Sequence, residues 1–146
     1  MELTRTTGAL QDELAALVAQ TAPQLLAETG IGVVLAAKFI GEIAGIDRFN
    51  SDAQLARMAG CAPIPASSGR TDRHRPDSGG NRQLNHAFHL LAFTKIRYDP
   101  ETAVYIAKQR ANGKTKREAI RCLKLISSAV STTSYAHPTT FRQRSA

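Results

Sequence analysis

Between Cys61 and Gly80 the chain loses every trace of apolar periodicity, and this break constrains the fold more than any other feature of its 146 residues. Three prolines, three glycines and three arginines fall inside it. A structureless stretch of that length is uncommon in a compact domain unless it is functional or disordered. The sequence on both sides is helical in pattern. Leu10, Leu14, Leu17 and Val18 recur at helical spacing across residues 9–21, with Asp12 and Glu13 early, where the helix dipole favours them. Pro23 restarts the chain for a short helix to Glu28. A stronger one runs from Val33 to about Ala44, closed by Gly45. Asn50 or Ser51 caps a further short helix that ends at Gly60.

Beyond the break, Asn81 caps a helix to about Tyr98 that buries Leu84, Phe88, Leu91 and Ala92. Pro100 opens the next, to about Ala111, at a position where its missing N–H costs nothing. Gly113 stops it, and Thr115 with Glu118 forms a capping box for a last helix to about Ser131. Residues 132–146 are polar and aperiodic and read as a disordered tail. Aromatic residues make up 5% of the chain and tryptophan is absent, so the core is aliphatic, which favours helices over strands. No segment reads as a strand. The expected fold is all-α: a helical domain over 23–131 with one long internal basic loop, preceded by a helix within 1–22.

Charge is distributed unevenly. Residues 1–60 carry four Lys/Arg against seven Asp/Glu, and residues 61–146 carry fifteen against five, a net −3 followed by a net +10. That asymmetry is expected of a polyanion binder, although a solvated basic surface gives the same count. Cys61 and Cys122 are too few and too far apart for a disulfide framework or a zinc site. No leader-like segment opens the sequence, and no apolar run approaches the roughly 20 residues that span a bilayer. A soluble, cytoplasmic protein with free thiols, no membrane association and no bound metal is expected.

Two segments carry candidate chemistry. In Thr29-Gly30-Ile31-Gly32-Val33, two glycines allow a tight turn and close backbone approach, and a helix begins immediately after them. The unpaired N–H groups of that helix would face a DNA phosphate, while Ile31 anchors the turn. This is the pattern of a helix-hairpin-helix, which positions a duplex without reading its bases. An ordinary corner between helices uses glycines in the same way. The second segment, Ser67-Ser68-Gly69-Arg70-Thr71-Asp72-Arg73-His74-Arg75, sets serines beside a glycine and three arginines. A serine attacking a phosphodiester needs access, deprotonation and neutralisation of transition-state charge. Gly69 gives access, and Arg70, Arg73 and Arg75 match phosphate oxygens in pairs. His74 is a proton carrier in that scheme, or a solvated bystander. The same composition also suits a basic loop that touches phosphates and does no chemistry.

The order of features supplies a resemblance. Gly30-Ile31-Gly32, Glu42-Ile43, Arg48-Phe49, Leu55-Ala56, Ala59-Gly60-Cys61-Ala62-Pro63, Ser68-Gly69, Gly80-Asn81-Arg82-Gln83-Leu84 and Arg97-Tyr98-Asp99-Pro100 follow one another across about residues 24–130. Together they resemble the C-terminal domain of insertion-sequence transposases of the DEDD-plus-serine type, relatives of pilin-gene invertases and bridge-RNA-guided recombinases. The resemblance implies that Ser68 is the nucleophile, with Ser67 its neighbour and alternative, and that cleavage passes through a 5′-phosphoserine. It implies double-stranded DNA as partner, a guide RNA as a second, and a homo-oligomer. Asn81 and Arg82 join Gly30, Ile31, Gly32, Arg70, Arg73 and Arg75 as candidate DNA contacts.

Residues 1–22 correspond to the end of the family's coiled coil. Magnesium belongs to an acidic quartet on a RuvC-like half that these residues do not include, so a non-autonomous fragment is expected. The stretch from Pro76 to Gly80 is less basic than the family pattern, and residues from His137 onward depart from it. Two other functions fit the residues alone: a non-catalytic helix-hairpin-helix DNA-binding module, and a helical protein that dimerises through Leu10, Leu14 and Leu17.

Overall fold

The computed structural model describes residues 1–65, 69, 74–76 and 78–136, with 74–76 and 129–136 described through their backbone. Among these, seven α-helices and one two-stranded ribbon follow in the order α1 (Glu2–Thr21), α2 (Pro23–Leu26), α3 (Val33–Ile43), a 3-10 turn (Ile46–Arg48), α4 (Asp52–Met58), β1 (Pro63–Pro65), β2 (His74–Pro76), α5 (Arg82–Tyr98), α6 (Pro100–Ala111) and α7 (Lys116–Ala136). The expected all-α class holds. No helix among the described residues is long and apolar enough to cross a membrane.

The helix ends follow local chemistry. Asn81 accepts the Leu84 N–H at 3.0 Å and so caps α5. Asp99 caps α6 through the Glu101 N–H and the Thr102 hydroxyl, and these bonds hold its carboxyl below the usual carboxylate range. The capping box at α7 forms as expected: the Glu118 carboxylate accepts the Thr115 N–H at 2.8 Å, and the Glu118 N–H donates to the Thr115 hydroxyl at 3.3 Å. Ser51 occupies the N-cap of α4 without a side-chain bond; Gln54 reaches back to accept the Asn50 N–H instead.

Three expectations change. First, α1 begins at Glu2 and not near residue 9: Glu2, Leu3 and Arg5 are good helix formers, and the Thr6 and Thr7 hydroxyls are satisfied within the helix by the Glu2 and Leu3 carbonyls. Second, α7 continues to Ala136, past the end expected near Ser131. The added residues are weak helix formers, but no proline or glycine interrupts them before Pro138. Third, the break at 61–80 contains strands. Pro63, Ile64 and Pro65 pair antiparallel with Pro76, Arg75 and His74. Pro-x-Pro argues against a strand inside a sheet, but a two-stranded ribbon has only edges, where a missing N–H is tolerated.

The main core gathers Val18 and Ala22 from the end of α1, Leu25, Ile31, Ala36, Phe39, Ile43, Ile46, Leu55 and the α5 residues Leu84, Phe88 and Leu91. At its centre the Phe39 and Phe88 rings meet at 4.8 Å, tilted, joining α3 to α5. Ala92, Ile106, Ala119, Ile120 and Leu123 form a second cluster where α5, α6 and α7 meet. Of the N-terminal leucine stripe, Leu10 and Leu17 stay exposed while Val18 enters the core.

Gly60 and Gly80 bring the two ends of the 61–80 segment into backbone contact. A Cβ on Gly80 would overlap the Gly60 nitrogen and Cα and lie 2.9 Å from the Met58 carbonyl oxygen. Gly80→Ala is therefore expected to lower stability by about 3 kcal/mol, the upper range for overpacking. Urea unfolding measures this, and a loss under about 1 kcal/mol would show that the two backbones separate freely. Cys61, on the inner side of this closure, has its thiol pushed up to about 11 by burial, with Lys124 opposing. At pH 8 roughly one thiol in a thousand is then ionised, so alkylation should run about 100-fold slower than at an ordinary cysteine. Mass-spectrometric alkylation kinetics at Cys61 check this.

Candidate nucleic-acid interface

The glycine turn between α2 and α3 is held from inside. The Ile31 N–H donates to the Glu28 carbonyl at 3.1 Å, and the Ile31 side chain is buried in the main core. Lys95 of α5 reaches the Glu28 carboxylate at 3.5 Å in a largely buried ion pair. The two glycines then do different work. Gly30 has φ +91, and a Cβ there would press on Leu91 Cδ1 at 3.2 Å and Thr94 Cγ2 at 3.3 Å, so this glycine serves packing on α5. Gly32 has an ordinary φ of −89, is exposed, and has open space where a Cβ would stand. It is the N-cap of α3, without a side-chain cap and with no acidic residue in the first turn. The leading N–H groups of α3 are therefore open to an acceptor from outside.

The ribbon is the second element. Its connection spans residues 66–73, and within it Gly69 turns at φ +60. Ser67, Ser68, Arg70 and Arg73 lie outside the described residues; Arg75 pairs with Ile64 through β2. Below the ribbon, the Asn81 N–H donates to the Met58 carbonyl at 2.6 Å. Asn81 uses the rest of its amide internally as well: Oδ1 caps α5 and Nδ2 donates to Glu42 of α3 at 2.7 Å. Its neighbour Arg82 is exposed on the first turn of α5. An open depression beside this base is lined by Gln54, Arg57, Met58, Gly79, Gly80 and Asn81. Sequence reasoning passed over Arg57, although burial of Leu55 and Ala56 already turns Gln54 and Arg57 outward. The structure thus brings Asn81, Arg82 and Arg57 to the ribbon base. Gly32 and Glu42 stand at opposite ends of α3, roughly 15 Å apart at 1.5 Å per residue.

A further cluster carries no sequence signature. Asn85 of α5 donates through Nδ2 to the carbonyls of Ala59 at 2.8 Å and Gly60 at 3.1 Å, and its Oδ1 accepts from Lys124 of α7 at 2.7 Å. Lys124 is 8% exposed. Burial lowers its pKa, with Cys61 opposing. His89, one turn along α5, is also lowered, by burial first and then by Lys124 and His86. Among the described residues, no group of three His, Cys, Asp or Glu side chains gathers to hold a metal ion. The described acidic side chains therefore do not fit a magnesium quartet.

The family model described as transposase IS116/IS110/IS902 family matches residues 20–107, from the end of α1 into α6. The chain is 40% identical over 100 residues to the 43.6 kDa protein of insertion element IS110 from Streptomyces coelicolor, covering 67% of this chain and 24% of that one. It is 36% identical over 102 residues to the 42 kDa protein of insertion element IS900 from Mycobacterium paratuberculosis, covering 68% and 25%. The 44.8 kDa protein of insertion element IS116 from Streptomyces clavuligerus is 32% identical over 96 residues, covering 64% and 24%. This chain spans about a quarter of the length of these relatives. The matched stretch holds the glycine turn, the ribbon and nearly all of the main core, and with it the chain belongs to the IS116/IS110/IS902 family of insertion-element transposases.

Proposed function

We propose that this chain is the DNA-handling domain of its transposase, acting in transposition by gripping duplex backbone at the glycine turn and presenting Ser68 from the ribbon. The observation that carries the reading is the contrast between the two glycines. Gly30 is required by φ and by contact with α5, whereas neither backbone nor neighbours explain Gly32. A glycine with free space outside it, heading a helix with open N–H groups, suits a phosphate that approaches more closely than a Cβ allows. The basic second half of the chain and α5, which carries no Asp or Glu in 17 residues, suit the same polyanion.

In the proposed chemistry the Ser68 Oγ attacks a phosphodiester phosphorus. The Oγ–P bond forms and the P–O3′ bond breaks, leaving a 5′-phosphoserine and a free 3′-hydroxyl. The serine proton passes to a base, with His74 the nearest histidine in sequence, and the leaving 3′-oxygen takes up a proton. Arg70, Arg73 and Arg75 offset the charge on the phosphoryl oxygens. Rejoining reverses these steps with the 3′-hydroxyl of the partner strand. An acidic metal-binding domain and a guide RNA enter as partners of the whole transposase. A second copy of this chain is the proposed partner of α1, where Leu3, Leu10 and Leu17 recur every seven residues and remain exposed.

Two measurements test this reading. DNA affinity should fall on the order of a thousandfold between 50 and 200 mM salt if about six phosphates are neutralised. Gly32→Ala should weaken binding about tenfold while costing under about 1 kcal/mol of stability, a small N-cap effect. Equal affinity in Gly32→Ala would remove the turn from the interface. For the chemistry, nicked suicide substrates with the acidic partner domain supplied in trans should trap a covalent adduct. Ser68→Ala should abolish the adduct with DNA affinity unchanged, and absence of any adduct from the unaltered protein would leave a non-catalytic binding module.

A further inference from the structure

Lys124 sits where lysine is rarely found. It is nearly fully buried on α7, and among the described residues its ammonium meets an amide oxygen and no carboxylate. Burying an ammonium without a counter-charge is costly, and an apolar side chain of the same volume generally serves a core better. Its surroundings show what the charge does. Lysine has three donors and no acceptor, so the only end of the Asn85 amide it can meet is Oδ1. This fixes the orientation of the amide. Nδ2 is then turned toward the Ala59 and Gly60 carbonyls, which follow the last turn of α4; the Cys61 thiol is a second, longer donor to Ala59 at 3.6 Å. Gly60 is also the residue against which Gly80 packs, and the next residue, Asn81, donates to Met58 and caps α5.

We infer that Lys124 is a positioning residue: by fixing the Asn85 amide it clamps the Ala59 and Gly60 carbonyls and so sets the base from which the ribbon at Pro63–Pro65 and His74–Pro76 leaves the domain. This rests on the reading above only for the purpose of the ribbon, which is to present Ser68. The clamp itself is a statement about α4, α5 and α7. Burial lowers the pKa of Lys124, which agrees with an ammonium retained at some cost. Removing the charge should loosen one place. With a methionine at 124 Oδ1 loses its donor, the Asn85 amide is held by the two carbonyls alone, and the base loosens while the apolar core stays packed.

Amide hydrogen exchange tests this without reference to DNA chemistry. The reporting amides are Cys61 and Ala62, which donate to the Ala56 carbonyl, and Asn81, which donates to Met58. In Lys124→Met these three should exchange at least tenfold faster while the melting temperature is unchanged or higher. Lys124→Arg, which keeps a charged donor, should restore part of the protection. Asn85→Asp separates the clamp from simple charge pairing: it gives Lys124 a carboxylate partner but turns an oxygen toward Ala59 and Gly60, and protection should still be lost. Unchanged exchange at 61, 62 and 81 in Lys124→Met, or retained protection in Asn85→Asp, would overturn the clamp. Adduct yield on suicide DNA should fall at least tenfold in Lys124→Met. If the unaltered protein forms no adduct although the exchange results appear as expected, the Ser68 reading fails and the clamp stands.

Discussion

The backbone contact between Gly60 and Gly80 is the constraint on which the arrangement of the rest depends. It brings together two points of the chain twenty residues apart, so the segment between them is released as a ribbon from a closed base. It also places the Asn81 N–H against the Met58 carbonyl, and from there Asn81 starts α5 in a fixed direction. Once α5 is set, Phe88 meets Phe39, Leu91 packs under Gly30, and Lys95 reaches Glu28. A side chain at Gly80 would separate the base and, with it, the register of α5 against α3.

This organisation gives a physical sense to two distant features. The glycine turn and the ribbon base lie at opposite ends of α3, with Ile31 buried near one end and Glu42 bonded to Asn81 at the other. A rigid helix keeps them at a fixed separation. A domain proposed to hold a duplex at one point and present a nucleophile at another needs such a spacer, because misplacement by an ångström is expensive in a bimolecular displacement. Polar groups in the interior serve the same rigidity. Among the described residues no buried side-chain polar atom lacks a partner.

Much of the helical framework was legible in the sequence because its signals are local. Asn81, the Thr115–Glu118 box and Pro100 each act within one turn of their own position, and Leu84, Phe88, Leu91 and Ala92 mark a buried face by spacing alone. The ribbon was not legible, since prolines at both ends of β1 argue locally against a strand and only the return of β2 provides a partner. The role of Lys124 was hidden for the same reason. A lysine in a helix reads as exposed until its neighbours Asn85 and Cys61, 39 and 63 positions earlier, are known to lie beside it. The extra turns of α1 and α7 escaped because threonine and serine crowd them and leave too few apolar residues to mark a buried face.

The sequence by itself determined an all-α domain, its caps, the aliphatic core and the concentration of positive charge after residue 60. These follow from propensities and spacings that act over a few residues. Only the tertiary structure decided which glycine packs and which stays open, that the aperiodic segment leaves as a ribbon from a closed base, and that a buried ammonium orients the amide beneath it. Those depend on contacts between residues distant in the chain, and no local pattern encodes a neighbour that folding alone supplies.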